Sequence, residues 1–256
     1  MSEFVINALS WWAWVETVLC TIVGTPIVAG VWLVTRPFDP GVYAAGRTFR
    51  LVAVVATLLN PLWRFRTLGS QRVGNPRRPY VVVANHESYA DVFLISRFPW
   101  EMKWLSKQTF FRIPCLGWMM QMAGDIKLVR GNRDSTVDAI ASCKDRLTKR
   151  ASVMIFPEGT RSKTRDLLPF KDGAFRLAIE TQTAILPIAV AGTRACMAKG
   201  SFRFRPARAV AEVLDPVETT GLTLADLPTL KERVRGIIDD ARHRLARDHD
   251  LVLLTT

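Results

Sequence analysis

The stretch Tyr80-Val-Val-Val-Ala-Asn-His-Glu-Ser-Tyr-Ala-Asp91 decides how the chain is read. Val81 to Ala84 is a short β-branched run of the kind that forms a buried strand, and it stops abruptly on Asn85 and His86. From Asp91 to Arg97 the pattern turns helical. His86 is thus placed where a strand gives way to a helix. On one continuous helix five residues rotate a side chain by roughly 140°, which would turn His86 and Asp91 apart. With His86 ahead of the first turn and Asp91 inside it, the two can meet. A carboxylate then holds one imidazole nitrogen and leaves the other as a general base, the orienting logic of a His-Asp dyad. Taken alone, the stretch serves a histidine that merely caps a strand equally well.

Outward from this point strand and helix patterns alternate. Strands are expected over 81–84, 102–105, 126–129, 153–156, 185–190 and 209–214. Helical patterns fall at 134–149, 170–180 and 227–247, the last with Val234, Ile237, Ile238, Ala241 and Leu245 on one stripe and arginines and aspartates on the other. Such alternation predicts an α/β fold, a mostly parallel sheet flanked by helices. With 256 residues, of which 49% are hydrophobic, the chain can fill one sizeable core plus an appendage.

The appendage is expected at the N-terminus. Thr17 to Thr35 carries no charged residue and is just long enough for the hydrocarbon core of a bilayer, which takes about 20 residues. It predicts a spanning or deeply inserted helix, although Gly24, Pro26 and Gly30 argue against a straight one. No basic residue precedes it, so it matches a cleaved signal peptide poorly. Trp11, Trp12 and Trp14 suit a membrane interface, and Arg36, Arg47 and Arg50 behind them place the remainder on the cytoplasmic side of a cytoplasmic or cell inner membrane. The shorter apolar run 51–63 reads as re-entrant or interfacial. The expected division is 1–66, a membrane-associated helical pair, and 67–256, a catalytic domain. Core helices of a soluble protein are the competing reading.

Thirty-five Lys and Arg against 23 Asp and Glu give a net charge of +12 and call for anionic partners. No recognised nucleic-acid module is present, which leaves a phospholipid membrane rather than nucleic acid. Cys20, Cys115, Cys143 and Cys196 are scattered, without zinc or disulfide spacing, and the three histidines form no metal-binding set.

Three further stretches carry chemistry. Gly124-Asp-Ile-Lys-Leu-Val-Arg-Gly131 is a strand ending on Arg130, where α/β folds keep their sites; an ordinary surface arginine is the stronger reading of it alone. Ile155-Phe-Pro-Glu-Gly-Thr-Arg-Ser162 is more specific, a strand running into Pro157, Glu158, Gly159, Thr160 and Arg161. That turn can offer backbone N–H groups and a planar guanidinium fork to a phosphate. Ala184-Ile-Leu-Pro-Ile-Ala-Val-Ala-Gly-Thr193 alone suggests only a core or edge strand.

Together the blocks 85–91, 124–130, 156–162 and 185–193 closely resemble the four ordered motifs of the glycerolipid acyltransferase family, the bacterial 1-acyl-glycerol-3-phosphate acyltransferases in particular. The resemblance covers roughly 80–193, connecting segments 110–118 and 168–175 included. It implies transfer of an acyl chain from acyl-CoA or acyl carrier protein to the sn-2 hydroxyl of lysophosphatidic acid, giving phosphatidic acid, without a metal or other cofactor. It makes His86 the base, Asp91 its partner, Glu158, Gly159 and Arg161 the acceptor-phosphate loop, with Thr160 in the same turn, and Arg130 a second phosphate contact. Lys107 or Lys171 is expected to converge on the same face of the sheet. Val129 departs from the family pattern, which commonly has a polar residue beside the arginine, and this leaves open another acceptor, a lysophospholipid or lyso-ornithine lipid. A hydrolase releasing fatty acid from acyl-CoA with the same dyad is the alternative activity. Ser88 lacks the Gly-x-Ser-x-Gly elbow of a hydrolase nucleophile.

Overall fold

The computed structural model describes residues 1–251 apart from 163, 165 and 199. A seven-stranded sheet is its centre, formed by β1 (Trp63–Leu68), β2 (Val81–Ala84), β3 (Met102–Lys107), β4 (Ile126–Leu128), β5 (Ser152–Ile155), β6 (Ile185–Ala191) and β7 (Ala207–Val213). The order is β1-β7-β6-β2-β5-β3-β4, and every pairing is parallel except β6 with β7.

The sheet is buried on both faces, as parallel strands require. Val81 and Val83 point toward α5 (Arg133–Thr148), α6 (Gly173–Glu180) and α8 (Leu227–Asp248). Val82 and Ala84 point to the opposite core, with Leu94 and Ile95 of α3 (Ala90–Ile95). A third apolar cluster joins α1 (Glu3–Thr35) and α2 (Tyr43–Leu59) to α4 (Leu116–Met122) through Val28, Phe49, Met119 and Met120. The short helix α7 (Thr193–Cys196) completes the set.

The six expected strands and the helices expected at 134–149, 170–180 and 227–247 are present within a few residues of their sequence positions, whereas the two N-terminal helices begin at Glu3 and Tyr43, well ahead of the apolar runs 17–35 and 51–63. β1 is the addition: Trp63 to Leu68 pairs in register with Ala207 to Glu212, so the tail of the run read as interfacial is a sheet strand. β1 also straddles the expected domain boundary at residue 66. Trp63 is buried against Phe65 and Phe204, a packing that the hydrophobicity of the run could not distinguish from lipid contact. On α8 one arginine departs from the expected polar face. Arg242 lies four residues beyond Ile238, hence on the buried stripe, and is 2% exposed.

α1 runs unbroken through Pro26 and is the one helix among the described residues long and apolar enough to cross a membrane. α2 returns beside it, with Gly24 so close to Val52 that a Cβ there would come within 2.5 Å of it. Both ends of α1 are fastened to the sheet domain. Ser10 accepts from the Phe204 N–H at 2.9 Å, and the Trp14 indole donates to the Phe202 carbonyl at 2.7 Å. Past the other end, Gly41 packs on Lys149 and Ala151, and the Val42 carbonyl accepts from Lys103 at 2.9 Å.

Candidate active site

The site forms where β2 and β5 end, at the carboxyl edge of the sheet. Asn85 continues the ladder past β2: its side-chain amide donates to the Val190 carbonyl at 2.9 Å and accepts from the Val190 N–H at 2.8 Å. This fixes the backbone just ahead of His86. The His86 N–H then donates to Glu158 at 2.7 Å, and its carbonyl accepts from the Ser162 N–H at 2.9 Å, so the loops after β2 and β5 are stitched together at this residue.

The His86 imidazole accordingly has one orientation. Its Nδ1 lies 2.7 Å from Asp91 Oδ2, and its ring stacks on Phe156 at 3.9 Å between centroids and 14° between planes. Asp91 is fully buried, and the same Oδ2 accepts from the backbone N–H groups of Glu87 at 2.8 Å and Ser88 at 3.0 Å. Three donors converge on this one oxygen, and the contact to Nδ1 orients the ring with that nitrogen as the donor. The ring is 12% exposed, and Nε2 is the nitrogen not engaged by Asp91. This arrangement can take a proton from an incoming hydroxyl. Ser88 donates its hydroxyl to the Met197 carbonyl at 2.8 Å, which makes it a brace of the loop.

The loop after β5 supplies the cationic side. Gly159 has φ +68°, and a Cβ there would come within 2.8 Å of Lys171 Nζ, so glycine lets that ammonium lie directly over the loop. Thr160 and Arg161 follow, both half-buried. The Arg161 guanidinium stacks on the Tyr89 ring at 3.8 Å, and Tyr89 meets Phe110 edge-on at 5.9 Å. Arg161, Gly159 and Lys171 are therefore gathered beside the His86 loop. Lys107 and Arg130 are exposed at the same edge of the sheet, at the ends of β3 and β4, two and three strands from β2, or roughly 10 and 14 Å.

Glu158 differs from its expected place in a phosphate loop. It is 3% exposed, and its two oxygens accept from the His86 and Leu168 N–H groups at 2.7 and 3.0 Å. A carboxylate repels phosphate, and this one holds two backbone segments instead; burial raises its pKa. Three residues outside the expected set shape the site. Arg194 of α7 donates to the Ser162 and Thr164 carbonyls at 2.9 and 2.7 Å, Phe156 is the platform under His86, and Tyr89 carries Arg161. Tyr89 and Phe156 lie inside quoted motifs, but nothing in the sequence shows which way their rings turn. Arg194 follows the fourth motif by one residue, without a spacing signal.

Comparison with known proteins agrees with this geometry. A family model described as Acyltransferase matches residues 65–191. The chloroplast 1-acyl-sn-glycerol-3-phosphate acyltransferase of Arabidopsis thaliana is 39% identical over 141 residues, 55% of this chain and 40% of that protein. The 1-acyl-sn-glycerol-3-phosphate acyltransferase of Saccharomyces cerevisiae is 28% identical over 88% of this chain and 70% of its own length. The human alpha enzyme of that name is 36% identical over 62% of this chain and 57% of its own length. The match thus spans less than half of the plant relative. Among solved structures, the 1-acyl-sn-glycerophosphate acyltransferase PlsC of Thermotoga maritima shares the fold with a TM-score of 0.82 at 22% identity, covering 96% of this chain and 98% of that one. The fold is held in common over nearly the whole length, and residues 65–191, which contain each strand bordering His86, form an acyltransferase-family domain.

Proposed function

We propose that the chain is a membrane-associated O-acyltransferase that moves a fatty acyl group from coenzyme A or acyl carrier protein to the sn-2 hydroxyl of 1-acyl-glycerol-3-phosphate, giving phosphatidic acid. The observation that carries this reading is His86 Nδ1 held 2.7 Å from a buried Asp91 that is itself held by two backbone N–H groups. The acceptor follows from the names of the plant, yeast and human relatives together with the cations around the loop after β5.

His86 Nε2 takes the proton of the sn-2 hydroxyl as its oxygen attacks the thioester carbonyl carbon. The C–O bond forms, the tetrahedral adduct collapses, the C–S bond breaks, and the proton passes from the imidazolium to the departing thiolate. A thioester is activated already, so a direct transfer needs no acyl-enzyme. Buried Asp91 stabilises the imidazolium that forms in the first step. Arg161 and Lys171 grip the acceptor phosphate and so aim the hydroxyl, a contribution that orientation alone makes large. Lys107 and Arg130, two and three strands away from β2 and exposed, meet the charged outer part of a substrate.

Membrane association rests on α1. Val15, Val18, Leu19, Ile22, Val23, Ile27, Leu33 and Val34 all stand about half exposed or more, an apolar face left open by the described residues. A helix of this length runs about 50 Å, longer than the roughly 30 Å hydrocarbon core, and both its ends are fastened to one domain. It therefore lies along one leaflet, with the sheet domain on the cytoplasmic surface, rather than crossing.

The test is transfer from acyl-CoA and from acyl carrier protein to a panel of lysolipids in vesicles, by the wild type and His86→Ala. The reading expects lysophosphatidate to be preferred by about tenfold or more in kcat/KM over zwitterionic lysophospholipids, because only a monoester offers two charges to the cations. Equal turnover of a lyso-ornithine lipid or lysophosphatidylcholine would move the acceptor, and release of free fatty acid without any acceptor would make the chain a hydrolase.

A further inference from the structure

Away from His86, a cavity of about 520 Å³ opens where the first turns of α1 meet the segment after α7. Trp11, Trp14 and Phe202 give it apolar surface, and Asn7, Ser201 and Arg203 give it polar groups. Trp11 is 74% and Phe202 78% exposed, so two large rings stand in solvent at the mouth of a groove. The groove itself is firmly built, through the Trp14 and Ser10 hydrogen bonds to Phe202 and Phe204 and an ion pair of Arg203 with Glu3.

We infer that this cavity is a binding site for one anionic phospholipid of the bilayer, distinct from the site of acyl transfer. The inference rests on the reading of α1 as a leaflet-lying helix, because Trp11 continues the same exposed apolar face as Val15, Val18 and Ile22. Its lining is mixed in the manner of the membrane interface, where aromatic rings border the chains and polar groups meet the phosphate and glycerol. The volume accommodates a headgroup and glycerol, with the acyl chains left in the bilayer. Charge selects the lipid: Arg203 and the exposed Arg205 outweigh Glu3. The Arg203 Nε–H has no hydrogen-bond partner among the described residues. The Glu3 carboxylate, 70% exposed, sits on the guanidinium as a phosphodiester would, and an exposed pair of this kind is weak enough to exchange. The same segment reaches the active-site loop, since Ser88 donates to the Met197 carbonyl.

The experiment uses the full chain in detergent micelles, with native mass spectrometry counting bound phosphatidylglycerol and phosphatidylcholine for the wild type, Arg203→Gln and Glu3→Gln. Arg203→Gln is expected to weaken phosphatidylglycerol binding by about tenfold, the value of one charge-assisted contact. Glu3→Gln is expected to tighten it by roughly two- to fivefold, because the lipid no longer competes with a carboxylate. A merely structural ion pair moves both variants in the same direction, and that result overturns the proposal. So does phosphatidylglycerol binding no tighter than phosphatidylcholine. Flotation of the wild type with neutral phosphatidylcholine vesicles separates the two levels: a protein that floats but fails the lipid count refutes the groove alone, and one that stays behind refutes the lipid-facing α1 with it.

Discussion

The molecule buries two clusters of charge, and they are built on opposite plans. Beneath α2, Arg50 pairs with Asp125 and lies 3.6 Å from Glu101, while Lys103 donates to Glu101 at 3.2 Å and to the Val42 and Ala123 carbonyls. Two cations face two carboxylates, and all four side chains are 5% exposed or less. At the end of β2, Asp91 and Glu158 are instead held by backbone N–H groups. The difference teaches what each cluster is for. Opposed charges neutralise one another and close, which suits a clamp between the helical pair and the sheet. Glu158 fixes the backbone at His86, and Asp91, held by neutral amides, stays available to one imidazole, whose second nitrogen is left for chemistry.

The largest expected effect separates the two plans directly. His86→Ala lowers acyl transfer by about 10²- to 10⁴-fold, the usual worth of a positioned general base, with the thermal unfolding midpoint near that of the wild type. Asp125→Asn does the opposite. It leaves the buried Arg50 short of a partner and costs about 3–5 kcal/mol of stability in denaturant titrations, while turnover per folded molecule stays close to the wild-type value. If Asp125→Asn lost turnover without losing stability, the clamp reading would fail.

These contrasting roles were unequally legible in the sequence. Val81 to Ala84, the abrupt stop at Asn85-His86 and the offset of Asp91 made the strand-to-helix junction readable, because periodicity and a five-residue spacing are local facts. The loop after β5 was readable for the same reason. The clamp was not: Arg50 looked like a positive-inside flank, and only the tertiary approach of α2 to β3 puts it against Asp125 and Glu101. Trp63 to Leu68 failed likewise, since an apolar run followed by arginines describes an interfacial segment and an edge strand equally well. Glu158 was found as a position but not as a role, because a carboxylate's partners here are backbone groups that leave no trace in side-chain spacing.

A smaller effect tests whether the site's cations act on one substrate. Arg161→Ala removes a guanidinium that Tyr89 holds in one plane. The expected loss is about 3 kcal/mol in kcat/KM for lysophosphatidate, two charge-assisted bonds of a bidentate grip, with the KM for the acyl donor nearly unchanged. Steady-state kinetics with each substrate varied in turn reads this. Equal losses for both would make the loop after β5 a structural element like the clamp.

Glu87 is where the two plans meet, and it gives the smallest expected effect. It sits beside His86 in the active-site loop, yet it faces a cation, Arg242, at 3.8 Å, as the clamp's carboxylates do. Burial, and then the neighbouring Asp91 carboxylate, push its pKa up to about 7 from the usual 4.5, while Arg194 and Arg242 pull it down. A folded state that holds this proton more tightly than the unfolded chain gains stability that is full below about pH 4.5 and is lost as pH rises through about 7. Glutamine carries no such proton. The stability of the wild type relative to Glu87→Gln should therefore fall by about 2 kcal/mol between roughly pH 5 and 8, measured by denaturant titration across that range. Parallel curves would mean that Arg242 keeps Glu87 ionised throughout, and the clamp's plan would then extend into the active-site loop.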